Sequence, residues 1–183
     1  MEKLEIHTKR LVIRNLKIAD LDNFYLYRSN PEVCKYQGFD VLTKAEARAF
    51  IFKQNKKLFF KPNQWVQYGI ELKETGALIG DCAIKISSLE NGTASIGITI
   101  TPNEQKKGLA NEALKAIIDL LFRYKKVHRI VENLSADNKA SRKLLKRHGF
   151  RKEGLFLEEH MINGKWSDLL QFALLKKEWD TLK

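Results

Sequence analysis

The spacing of apolar positions changes character along the chain. Arg10-Leu11-Val12-Ile13-Arg14 alternates enough for a strand. After Asp20, Leu21, Phe24 and Tyr25 have helical spacing, and the pattern runs to Asn30-Pro31, where proline is expected to stop it. Thr43-Lys44-Ala45-Glu46 is a capping box, because the threonine hydroxyl and the glutamate can each satisfy a free N–H at a helix start. It predicts a helix with Ala45, Ala49 and Phe52 on one face. Residues 65–72 read as a strand, 73–76 as a turn and 77–87 as the antiparallel partner. Asn91-Gly92 marks another turn, and 94–101 a third consecutive strand.

From Gly108 the period becomes helical. Leu109, Ala113, Ala116, Ile117, Leu120, Leu121 and Tyr124 form one stripe. Residues 129–134 predict a strand, and 138–148 a second helix with Ala140, Leu144 and Leu145 inward and Gly149 ending it. Residues 155–161, Asn163-Gly164 and 167–175 form a hairpin pattern. A meander thus leads into a strand–helix–strand–helix unit and a final hairpin. The strand–helix–strand unit implies a right-handed crossover between parallel strands. The expected fold is a single α/β domain over residues 1–183, with a mixed, mostly antiparallel twisted sheet and helices on both faces.

Composition narrows the class. With 183 residues, 44% hydrophobic and 30% charged, the chain suits one soluble globular domain. The longest apolar candidate, 116–122, is broken by Asp119 and is too short to span a bilayer. The start, Met1-Glu2-Lys3-Leu4-Glu5, has no secretion pattern, so the expectation is a cytoplasmic protein without membrane contact. Cys34 and Cys82 match no metal or redox spacing and read as reduced, buried thiols. His7, His128, His148 and His160 share no ligand spacing, so no metal site is assigned. The net charge of +11 points to an anionic partner without choosing one, and much of it lies in pairs such as Lys106-Lys107 and Lys125-Lys126 that a solvated surface explains.

The chemistry concentrates where residues 98–101 enter the loop Pro102-Asn103-Glu104-Gln105-Lys106-Lys107-Gly108 and then a helix. Helix starts leave N–H groups unpaired and carry partial positive charge, so they attract phosphate. Gly108 allows close backbone approach, consecutive N–H groups can form an anion nest, and Lys106 and Lys107 add charge. That suits a pyrophosphate, although an ordinary connector with surface lysines has the same local pattern. Neither a P-loop pattern nor a GxGxxG after a first strand is present.

Gln105-Lys106-Lys107-Gly108-Leu109-Ala110 resembles the Q/R-x-x-G-x-G/A signature of GNAT acyltransferases. Asn138-Lys139-Ala140-Ser141, then Leu144 and His148-Gly149-Phe150, resembles the family's N-x-x-S…GF element. Thr8-Lys9-Arg10-Leu11-Val12-Ile13-Arg14 and Asn163-Gly164-Lys165-Trp166-Ser167-Asp168 look like the RimJ/RimL-type branch, which includes ribosomal-protein N-terminal acetyltransferases. The resemblance implies a splayed parallel strand pair, often at a bulge, that admits acetyl-coenzyme A. Backbone groups of Ile98, Thr99 and Ile100 would meet the pantetheine arm, and those of Gln105, Lys106, Lys107, Gly108, Leu109 and Ala110 the pyrophosphate. Asn138 would bond the pantetheine side, a role compatible with capping its helix. Ser141 matches the serine that protonates the leaving thiolate; the tyrosine that some members place one turn later is absent from Lys143-Leu144-Leu145-Lys146.

The resemblance also implies direct transfer of an acetyl group to an amine, with a base taking the amine proton. Related members often carry glutamate at the start of the splayed strand; this chain has Ser95. Glu71, Asp81, Glu132 and Glu158 on predicted strands are the other candidates, each with solvated carboxylate as its alternative reading. Phe50, Phe52, Phe59, Phe60, Trp65 and Tyr68 could line an acceptor pocket or pack the core. The acceptor is expected to be a protein N-terminus or a small-molecule amine, and the chain a monomer or homodimer. The positive charge argues against a polycation. A catalytically silent basic module for ribosome or RNA is the rival reading, but no RNA-stacking aromatic motif supports it.

Overall fold

A computed structural model describes residues 4–36, 43–57, 59, 61–88, 90–124, 127–162 and 164–182. Asn163 of the hairpin signal, Phe60 and the Lys125-Lys126 pair lie outside these. Eight strands form one sheet: β1 (Glu5–His7), β2 (Leu11–Asn15), β3 (Val66–Leu72), β4 (Leu78–Ser88), β5 (Thr93–Ile100), β6 (Arg129–Ser135), β7 (Arg151–Ile162) and β8 (Lys165–Leu175). Their spatial order is β1-β2-β3-β4-β5-β6-β8-β7. Every pair is antiparallel except β5–β6, which the connecting helix makes parallel.

The helices are α1 (Leu21–Arg28), α2 (Pro31–Cys34), α3 (Lys44–Gln54), α4 (Leu109–Asp119), α5 (Lys139–Arg147) and α6 (Lys176–Thr181). The sheet buries both faces, as period-2 alternation along its strands allows. On one face Ile13, Tyr68, Cys82, Ile84, Ile96 and Ile130 pack under Ala113, Leu114, Ile117 and Ile118 of α4, Leu145 of α5 and Trp179 of α6. On the other, Leu16 and Leu78 meet Phe24 and Tyr27 of α1 and Ala47 and Ile51 of α3. Trp179 Nε1 donates to Asp119 Oδ1 (2.9 Å), which ties α6 to the last turn of α4.

Several local expectations change. The capping box forms, with Thr43 N–H donating to Glu46 Oε2 (2.7 Å) and Glu46 N–H to Thr43 Oγ1 (3.3 Å). The buried stripe of α3 is nevertheless Ala47, Ile51 and Gln54, while Ala45, Ala49 and Phe52 face solvent. Alanines on two sides of a mostly polar helix left the inward face ambiguous. Pro31 starts a helix rather than stopping one: α1 ends at Arg28, and Asn30 caps α2 by accepting from Glu32 N–H (3.0 Å). Proline suits a first helical position because its missing N–H would be unpaired there anyway. Strand β1 and helix α6 were not foreseen. Ala140 is exposed and Leu144 half-buried, leaving Leu145 as the buried residue of α5.

Two charged networks secure the α1 face. Arg14 donates twice to Asp20 (both 2.8 Å) and through Nε to Glu71 Oε2 (2.7 Å). Asp81 accepts from Tyr27 Oη (2.5 Å), Gln67 Nε2 (2.6 Å), and Arg28 Nε and Nη2 (2.9 and 2.8 Å). Phe24 and Phe50 lie within cation–π distance of the Arg28 guanidinium (5.3 and 5.9 Å). Glu71 and Asp81 are therefore structural ion-pair members, not free bases.

Candidate active site

The sheet opens between its parallel strands. β5 and β6 pair only over Thr93–Ser95 with Arg129–Val131, then part. β6 keeps all seven pairs with β8, and β5 keeps unbroken register with β4 from Ala94/Ile86 to Ile100/Gly80. The splay thus occurs without a bulge in β5, and from Ile96 onward that edge of β5 has no strand beside it among the described residues. Gly80 lets β4 approach this strand closely: a Cβ there would sit 2.2 Å from the Thr99 carbonyl.

Beyond the splay, the chain turns through Pro102–Glu104 into the loop before α4. Two residues there are left-handed, Lys106 (φ 62°) and Gly108 (φ 79°). For lysine that conformation costs about 1–2 kcal/mol, so surrounding bonds must hold it. Gln105 Nε2 donates to the Ile100 carbonyl (2.9 Å), and Lys107 Nζ bridges Glu104 (2.9 Å). Gly108 is the helix N-cap, and its carbonyl receives the first helical bond, from Glu112 N–H (3.1 Å). The N–H groups of Leu109, Ala110 and Asn111 are consequently free of intrahelical acceptors. A Cβ on Gly108 would meet only Arg10 Nη2 (3.6 Å), so the protein requires glycine there for its φ, not for space.

Loop, splay and α5 enclose a cleft of about 590 Å³, within the usual small-molecule range. It gathers Ile98, Thr99, Ile100, Gln105, Lys106, Gly108, Leu109, Ala110, Asn138 and Ser141. Lys107 alone of the residues expected there does not line it; its ammonium is taken by Glu104. Lys143 and Arg147, one helical turn apart on α5, add cationic wall. Their four-residue spacing after Asn138 was the available signal for them. Asn111 contributes a buried Oδ1 with no donor. Glu32, Val33 and Tyr36 bring the α2 region to the cleft.

Asn138 caps α5, accepting from Ser141 N–H on Oδ1 (3.0 Å). Ser141 lines both the main cleft and a small crevice at the crotch of the splay. Glu132 shares that crevice with Ile96, Gly97, Ile98, Leu114, Leu144 and Leu145. Glu132 is half-buried by its surface exposure, yet close packing around its carboxyl raises that group well above the usual carboxylate range, and no hydrogen bond or charge among the described residues opposes the shift. Ser95 sits in the last paired rung before the opening. Glu158 is exposed on β7, in a left-handed conformation (φ 49°) at the register break, its N–H donating to Asp168 Oδ1 (2.9 Å).

Of the aromatics, Phe50 stacks on Phe24, and Phe59 packs edge-on to Tyr68, so both pairs are core; Phe52 and Trp65 are exposed. Cys34 and Cys82 are buried thiols not joined in a disulfide, and burial pushes the Cys82 thiol far up. Among the described residues there is no metal-binding cluster and no helix long and apolar enough to cross a membrane.

The family model described as acetyltransferase (GNAT) domain matches residues 10–151, which hold the splayed strands, the loop before α4 and the start of β7. The chain belongs to the GNAT acetyltransferase family. It is 33% identical over 174 residues to an N-acetyltransferase called p20 from Bacillus licheniformis, covering 95% of this chain and 97% of that one. A ribosomal protein uS5-alanine N-acetyltransferase of Escherichia coli is 40% identical over 84 residues, covering 46% and 43%. A GNAT-family acetyltransferase structure from Bacillus anthracis superposes with TM-score 0.84 at 28% identity, covering 96% and 100%. A Vibrio cholerae spermidine N-acetyltransferase, solved with CoA and spermine, shares the fold (TM-score 0.81, 22% identity, covering 94% and 99%). GNAT membership accounts for the mixed sheet, the helices on both faces and the splayed pair.

Proposed function

We propose that this GNAT enzyme transfers the acetyl group of acetyl-coenzyme A to a primary amine by direct attack, with Glu132 receiving the amine proton. The observation that carries the reading is the crotch of the splay, where an unpartnered carboxyl and the Ser141 side chain line one crevice at the end of an anion-binding cleft. The residues fit the donor. Free N–H groups of Leu109 and Ala110, with Lys106, Lys143 and Arg147, suit a pyrophosphate and a further phosphate. The edge of β5 that parts from β6 after Ser95 suits pantetheine amides, and Asn111 Oδ1, which has no donor among the described residues, can accept an N–H. The donor brings an activated thioester. As the C–N bond forms and the C–S bond breaks, Glu132, directly or through one water, accepts the proton that the attacking nitrogen loses; the Ser141 hydroxyl gives a proton to the departing thiolate and takes one back from solvent. A carboxylate whose pKa is raised by burial is, once ionised, a stronger proton acceptor than an ordinary one.

The acceptor reading stays with a protein N-terminus or small-molecule amine. The partial likeness to a uS5-alanine N-acetyltransferase supports the first, and the fold shared with a spermidine N-acetyltransferase the second. The test is thiol release from acetyl-coenzyme A across N-terminal peptides, spermidine and aminoglycosides. Absence of both turnover and coenzyme A binding would overturn the proposal; binding without turnover would make the chain a binding module. Glu132→Gln is expected to lower kcat by about a hundredfold or more, the usual worth of a general base. Full turnover in that variant removes Glu132 from the reaction.

A further inference from the structure

Arg10 and Glu112 are 102 positions apart, yet they share a bonded unit at the base of the cofactor loop. Arg10 Nε donates to Glu112 Oε2 (2.7 Å), and Arg10 N–H to Glu112 Oε1 (2.7 Å). Thr8 Oγ1 donates to the same Oε1 (2.6 Å). The other arm of the guanidinium, Nη1, donates to the Lys107 carbonyl (3.0 Å), inside the loop. That carbonyl lies between the two left-handed residues, Lys106 and Gly108.

The geometry points to a positioning role: Arg10, held by Glu112, latches the pyrophosphate loop in its anion-binding conformation. This rests on the coenzyme A reading of the cleft. Three physical points support it. A carbonyl engaged by Arg10 is fixed away from competing with the anion for the loop's N–H groups, and the strained turn at Lys106 is retained. A guanidinium forked between a carboxylate and a carbonyl defines an angle as well as a distance, which lysine cannot reproduce. Finally, Glu112 is an acid in the first turn of the helix proposed to receive phosphate. Unpaired, it would stabilise the helix dipole but repel the ligand. Burial alone would raise its carboxyl, but the bonds from Thr8 and Arg10 outweigh that and hold it below the usual range, so it is a carboxylate that Arg10 neutralises.

The experiment titrates purified full-length protein with coenzyme A by calorimetry. Wild type must bind; if it does not, the cofactor reading fails and the latch is left without a function. With wild type binding, Arg10→Met is expected to raise Kd about tenfold, the scale of a lost charge-assisted hydrogen bond. Arg10→Lys, which keeps the charge but not the fork, is expected in between. Adding Glu112→Gln to Arg10→Met should recover about a third of the lost affinity on a logarithmic scale, because the stranded carboxylate is gone. With an acceptor in hand, KM for acetyl-coenzyme A should rise in Arg10→Met while kcat at saturation stays within about twofold, the split expected of lost uniform binding. Unchanged affinity in Arg10→Met overturns the proposal. So does a double variant no tighter than the single one, since an architectural brace would be weakened further by losing Glu112, not relieved.

Discussion

Replacing Asp81 with alanine tests whether the α1 face depends on its buried ion network. In the native protein the Arg28 side chain is 4% exposed and that of Asp81 1%. Asp81→Ala removes the acceptor of five hydrogen bonds at once, from Tyr27, Gln67 and two nitrogens of Arg28. It takes the Asp81 carboxylate away from a buried guanidinium that lies within cation–π distance of Phe24 and Phe50. Breaking a buried pair from one side costs about 3–5 kcal/mol, because the surviving charge stays desolvated. For a chain of this size about 2–4 °C of Tm accompanies each kcal/mol, so the expected fall is about 6–20 °C. An exposed ion pair would cost at most about 1 kcal/mol. Urea titration followed by far-UV circular dichroism separates the two, provided the m-value is unchanged. The companion variant, Asp81→Leu with Arg28→Met, replaces both charges by apolar groups and is expected to recover most of the loss. A cost below about 1 kcal/mol for Asp81→Ala, or a double variant as unstable as the single one, would refute the reasoning.

Three further outcomes are expected. Because burial raises the Glu132 pKa above its unfolded value, the native state holds the proton longer; stability should fall as pH rises from about 4.5 through the raised pKa. Glu132→Gln should flatten that slope in denaturation curves measured between pH 4.5 and 8, and an unchanged slope would assign it elsewhere. Ser141→Ala should lower turnover by about tenfold or more while leaving coenzyme A affinity within about twofold, because Ala keeps the N–H that Asn138 caps; equal turnover would remove Ser141 as the acid. Gly108→Val places a β-branched residue at φ 79° and is expected to weaken coenzyme A binding about tenfold or more by collapsing the turn. Unchanged affinity would move the pyrophosphate away from this loop.

The legible parts of the sequence were those with local causes. Gly76 and Gly92 mark turns where left-handed backbone is needed, so the β3–β4–β5 meander could be read directly. The stripe of α4 had one apolar side, so its buried face was unambiguous. In α3 the small residues lie on two sides, and only packing against α1 chose Ala47 and Ile51. The cleft followed the same division. Gly108 and Asn138 announce themselves as helix starts. The Arg10–Glu112 contact could not be read, because nothing near either residue specifies a partner so distant in sequence. Glu132 was legible only as one of four strand carboxylates that could serve as the base. Its significance depends on β5 leaving β6 after three rungs, a property of two strands together.

Helix α4 is gripped at both ends by residues far from it in sequence, Thr8 and Arg10 at its first turn and Trp179 at its last. During synthesis this imposes an order. The segment bearing Asp119 emerges some sixty positions before the indole that braces it. A growing or truncated chain that stops short of Trp179 would carry every residue lining the cleft, yet lack the peg that seats the far end of the helix. Seating of the helix that walls the cleft is therefore expected to await the final helix, and C-terminal nicking to loosen the cleft from a distance.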